Sequence, residues 1–98
     1  MLFRSSVLMA EGTGEITITF NPSTVGVAAA ENTLVLAPYV RTGAAGTAIT
    51  LQAAQTAGSS GSIDWGCASA TQTSATAAGM TNITAGTLQA RYAPASCR

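Results

Sequence analysis

Few residues in this chain could do chemistry. Two cysteines, Cys67 and Cys97, bracket the C-terminal third, and the only tryptophan, Trp65, precedes the first of them. Four acids, Glu11, Glu15, Glu31 and Asp64, balance four arginines, and there is no histidine. Without histidine neither a Ser-His-Asp nor a Cys-His nucleophile can form. Glu11 and Glu15 fall near one hairpin, but nothing in the pattern pairs carboxylates across a cleft. No Gly-rich phosphate loop precedes a helix. The chain does not read as an enzyme, and no cofactor is expected. A metal site is equally unsupported, because zinc wants about four ligands from Cys, His or carboxylate. The cysteines lack the Cys-x-x-Cys spacing of a redox pair. What remains is a structural disulfide, Cys67 to Cys97, the one pairing that two cysteines allow. Closing a loop of about 30 residues contributes roughly 3–4 kcal/mol in the chain-entropy model.

The elements that must position this bond read as strands. Glu15-Ile16-Thr17-Ile18-Thr19-Phe20 alternates on a period of two and is β-branched, so it predicts a half-buried strand. Before it, the apolar run Ser5 to Met9 leads into a turn marked by Gly12 and Gly14. Thr33 to Pro38 reads as a second strand with Pro38 at its end or on a sheet edge, because proline cannot donate to a ladder. Ala48 to Gln52 alternates briefly and reads as a short strand. Ser62 to Cys67 is another, with Ile63, Trp65 and Cys67 on one face, which packs Trp65 into the core beside the disulfide. Thr87 to Tyr92 alternates once more before Pro94 stops it. Thr24 to Glu31 reads as loop or helical turn, and so does the stretch around Ala75 to Met80. Thr42 to Gly46 is a Gly/Ala turn, and Ala57 to Gly61 a Gly/Ser loop.

Ninety-eight residues make one domain with a modest core. The charged fraction is 8%, against the usual quarter, which disfavours nucleic-acid binding through a basic patch. Arg41, Arg91 and Arg98 read as solvated surface charges or as partners for acids on neighbouring molecules. Asn82-Ile83-Thr84 matches the N-glycosylation pattern. Met1 to Arg4 is too short for a secretory signal and reads as an artificial start or a fragment boundary. No run approaches the roughly 20 apolar residues of a membrane span. Ile16, Ile18, Phe20, Leu34, Leu36, Ile63 and Trp65 would form one apolar face of a small antiparallel sheet. Such a face needs a second layer, and no amphipathic helix in the sequence supplies it. A second sheet, an upstream helix or another chain would have to do so.

The terminal motifs then carry a family resemblance. Ser62-Ile63-Asp64-Trp65-Gly66-Cys67-Ala68-Ser69, together with Arg91-Tyr92-Ala93-Pro94-Ala95-Ser96-Cys97-Arg98, resembles the C-terminal half of a type IV pilin head. Thr13 to Thr19 and Asn32 to Leu36 are similar to its first two sheet strands. The resemblance is strongest to major pilins of Gram-negative bacteria and covers about Ser5 to Arg98. It implies an α+β pilin fold: a four- or five-stranded antiparallel head, closed by a C-terminal disulfide loop, against which a long N-terminal helix packs. That helix, the prepilin cleavage site and the acidic residue near the mature N-terminus have no counterpart here, so only Cys67 and Cys97 carry over. The implied role is a structural subunit of an extracellular pilus fibre, held in the inner membrane before assembly. Its partners would be other pilin subunits, with host surfaces, DNA or phage as possible contacts through adhesion, twitching motility or DNA uptake. A minor pilin, a split-pilin head chain or a type II secretion pseudopilin shares that fold. A secreted β-sandwich binding module is the alternative from a different class.

Overall fold

The computed structural model of the chain describes residues 4–43, 48–81 and 83–98. Five strands form one antiparallel sheet: β1 (Arg4–Met9), β2 (Ile16–Phe20), β3 (Thr33–Arg41), β4 (Ile49–Thr50) and β5 (Ser62–Ala68). The central strand is β3. It pairs with β2 and then β4 along one edge, and with β5 along the other. β1 completes the sheet outside β2. Three short helices intervene: α1 (Pro22–Val25), α2 (Leu51–Ala57) and α3 (Thr73–Ala77), with 3-10 turns at Ala90–Tyr92 and Ala95–Cys97. A second sheet is absent among the described residues, which removes the support for a β-sandwich.

The register divides the apolar residues between two faces. Val7, Met9, Ile16, Ile18, Leu34, Leu36, Ile63, Trp65 and Cys67 lie on one face, as the sequence pattern predicts. That face is not where most of the core sits. The opposite face carries Val35, Ala37, Tyr39 and Ala68, buried beneath Ala75 of α3 and Met80 and Ile83 of the loop after it. We call this the covered face. On the first face Leu34 and Cys67 pack with Leu88, Ala93 and Cys97, flanked by Phe20, Val27 and Leu36, and along β3 Pro38 and Val40 are buried as well. Elsewhere on that face, Ile63 is 59% exposed and Trp65 47%. Trp65 is therefore a surface residue and not the core residue expected from its alternation. The reason is chain economy. The polypeptide after β5 crosses to the covered face as far as Ile83 and returns to the first face only around Leu88 to Cys97, so Trp65 is bordered by the disulfide turn and stays about half exposed.

Three further expectations change. β3 extends through Pro38 to Arg41, so Pro38 stands inside the central strand. It is tolerated because its missing N–H faces a gap. β2 reaches only the Ile16–Leu36 pair, and β4 starts at the Thr50–Tyr39 pair. The strand expected over Ala48 to Gln52 shrinks to Ile49–Thr50. Thr50 Oγ1 accepts from Ala53 N at 3.1 Å and starts α2, and Gly58 ends it at φ +70°. The strand expected over Thr87 to Tyr92 does not form. Thr87 N and Leu88 N both donate to Thr33 O, at 3.1 and 3.0 Å, so the segment crosses the end of β3 instead of lying along it. Thr87 Oγ1 accepts from Asn32 N and Thr33 N, fixing that crossing with side-chain bonds in place of a ladder. Part of the Thr42 to Gly46 turn, Asn82 of the glycosylation pattern and Met1 to Phe3 lie outside the described residues.

Candidate functional site

The C-terminal third forms a knot of hydrogen bonds around the disulfide. Cys67 at the end of β5 is joined to Cys97 with 1.99 Å between the sulfurs and 4.5 Å between the Cα atoms. Two residues on, Ser69 is fully buried. Its Oγ donates to Cys97 O at 2.7 Å, and its N–H also donates to that oxygen at 3.0 Å. A carbonyl held by two donors and a covalent bond fixes the C-terminal turn against the sheet. Ala70 N donates to Leu88 O at 2.8 Å, Ser74 N to Arg98 O at 2.9 Å, and Arg98 Nε to Ala93 O at 2.9 Å. Gly86 lies so close to the sheet that a Cβ there would fall 2.4 Å from Thr33 O. Ser69, Gly86 and Thr87 were not singled out from the sequence. Their role is fixed by contacts across many residues, which no local period reveals.

The charged groups are dispersed. Arg41 pairs with Asp64 at 3.0 Å and donates to Ala78 O at 2.7 Å, tying the segment after α3 to the sheet. Hydrogen bonds from the Arg41 guanidinium and from Trp65 N–H hold the Asp64 carboxyl below the usual carboxylate range. Glu15 accepts from Thr84 N and Oγ1, and Glu31 accepts from Gln89 Nε2 at 2.9 Å. Among the described residues no three of His, Cys, Asp and Glu come together as a metal site. Arg91 stacks over the exposed Tyr92 ring at 4.8 Å. Thus Arg41 is engaged within the chain, and the acids are brought to separate places.

What stands out is the apolar surface next to the knot. Trp65 lines a hollow of about 250 Å³ with Leu36, Met80 and both cysteines. The indole is beside the disulfide as expected, but it faces outward. Ile63 beside it, and Val7 and Met9 on β1 at the opposite edge of the sheet, are exposed on the same face.

A family model for pilins, the proteins of bacterial filaments, matches residues 4–98. This chain belongs to the pilin family. A crystal structure of a type IV pilin from Pseudomonas aeruginosa strain Pa110594 superposes with a TM-score of 0.91 and is 45% identical. The match covers 100% of this pilin chain and 66% of that solved chain. No curated protein matches. The pilin fold therefore stands as read from the terminal motifs: an antiparallel sheet, few helices, and a disulfide closing the C-terminal loop. Among the described residues no helix is long and apolar enough to cross a membrane.

Proposed function

We propose that residues 1–98 are the globular head of a type IV pilin and that the chain works as a structural subunit of an extracellular filament. The observation that carries this is the open apolar face. Trp65, Ile63, Val7 and Met9 are each about half exposed or more, and they share one side of a sheet whose other side is closed over β3 and β5. A long helix laid across that side, from a longer form of the chain or from a separate one, would supply the second layer that a sheet requires. Subunits would then assemble through their helices and present the disulfide-closed region outward. Adhesion, twitching motility and DNA or phage contact would be properties of the fibre. No catalysis is proposed, since the acids are scattered and histidine is lacking.

The test is a chimera. The head is joined to the N-terminal helix of a Gram-negative pilin and expressed in a host lacking that pilin. Surface fibres that contain the head, seen by immunogold electron microscopy, are expected. Trp65→Asp should abolish them while the disulfide still forms. A folded, oxidised chimera that stays in the membrane and never enters a fibre would sink the proposal.

A further inference from the structure

The sheet has two outer edges, and they are not alike. At β5 the pairing of Pro38 with Trp65 fixes the hydrogen-bond phase. Proline has no N–H, so this is a non-hydrogen-bonded pair and Trp65 N–H points away from β3. That N–H is taken by Asp64 Oδ1 at 2.9 Å, and Asp64 is itself held by Arg41. A carboxylate folded back on the strand is a device that blocks an edge. From Ser6 to Met9 the β1 edge has no such guard, the bulge between Arg4 and Ser6 lying at its start. Ala10 N donates to Glu15 O, so Leu8 shares its phase and turns its backbone groups toward β2. Val7 and Met9 turn theirs outward, where they meet no partner among the described residues. Neither lysine, proline nor a charged residue occurs from Ser6 to Met9, and the register with β2 is unbroken there. Both faces of the strand are apolar and open: Val7 is 47%, Leu8 66% and Met9 68% exposed.

We propose that this edge pairs with the same edge of a second copy of the chain, antiparallel about Leu8. The symmetry favours this register. Leu8 faces Leu8 across the axis as a non-hydrogen-bonded pair, where side chains approach most closely. Val7 then lies opposite Met9 of the second copy, twice, and each such pair exchanges two main-chain bonds, about four in all. The contact is isologous and closes as a dimer. The guarded β5 edge offers no equivalent. The pairing uses the main-chain edge of β1 and centres on Leu8, whose side chain lies on the opposite face from Trp65, so it does not depend on the filament proposal even though Val7 and Met9 border both surfaces.

Sedimentation analysis of the oxidised 98-residue chain over a concentration series reads the dimer. Leu8→Lys places like charges across the axis and should weaken it by at least about tenfold. Trp65→Ser, on the open face, should leave it within about twofold. Leu8→Cys should give a disulfide-linked dimer on mild oxidation, mapped by mass spectrometry to residue 8. Ile63→Cys should not. A chain that stays monomeric, a dimer indifferent to Leu8→Lys, or one broken by Trp65→Ser would overturn the proposal.

Discussion

Replacing Cys67 and Cys97 together by alanine tests what the staple contributes. The two positions are 30 apart in sequence. The chain-entropy relation gives about 3.6 kcal/mol at 25 °C for a loop of that length. For a domain of this size each kcal/mol is worth about 4–8 °C in melting temperature. The double alanine variant should therefore melt about 15–30 °C lower by calorimetry or circular dichroism. Alanine is the cleaner choice because both positions are buried, whereas Cys67→Ser alone would also bury a hydroxyl. Two features could blunt the effect. Ser69 still holds Cys97 O, and Ser74 still holds Arg98 O. Were those bonds weak, the C-terminal turn would detach by itself and the sheet would melt nearly unchanged. Hydrogen exchange separates the two cases. Loss of protection at Ser69, Ala70 and Ser74 while β3 stays protected marks local release. A melting shift of only a degree or two would refute the loop-closure reasoning.

Gly86→Ala should destabilise by about 2 kcal/mol in urea unfolding, because the added Cβ meets the Thr33 carbonyl that anchors Thr87 and Leu88. A neutral outcome would mean the crossing can shift. Asp64 titrates below its ordinary value when folded, so its contribution is full above about pH 4 and is lost as pH falls through the folded value. Acid titration of unfolding should show a shallower loss below about pH 4 in Asp64→Asn. Burial, and next the Glu15 charge, push the Tyr39 hydroxyl up. Its contribution is full below about pH 10 and lost above, and Tyr39→Phe should flatten that alkaline limb. At neutral pH the same change removes the bond to Thr81 O and should cost about 1 kcal/mol.

The strands and their faces were legible where alternation is local. Ile16, Ile18 and Phe20 announce β2, and Ile63 to Cys67 announce β5 with the correct shared face. Which face would be buried was not legible, because that depends on where the Ala- and Thr-rich stretch after Cys67 travels. Ala75, Met80 and Ile83 carry no period that points to Val35 and Tyr39. The α2 signal was present but short: Thr50 as cap, an Ala- and Gln-rich turn, then Gly58. It lost to an apparent alternation over Ala48 to Gln52. For the site, the cysteine pair was readable by elimination. The hydrogen bonds that turn it into a rigid knot, at Ser69 and Thr87, join residues 28 and 54 positions apart and leave no trace in local sequence.

The outward Trp65 and the disulfide behind it have a common origin. The covered face spends the chain's small residues on tight packing over Val35, Ala37 and Ala68, and the other face is closed along β3 and around Cys67 but left open at Ile63 and Trp65 and at Val7 and Met9. Burying the exposed portions of Trp65, Ile63, Val7 and Met9 would contribute about 5 kcal/mol at the usual value for burying a large apolar side chain. That is of the same order as loop closure by the disulfide. An uncovered head lacks the first contribution and must rely on the second, and a head seated on a helix would have both. The bond also locks the Cys97 turn over Leu34 and Leu88, closing that end of the face on which Trp65 lies. A subunit that has to keep part of one face free until it meets its partner gains from a covalent tie at the edge of that face. The tie stabilises the sheet without occupying the surface the partner needs.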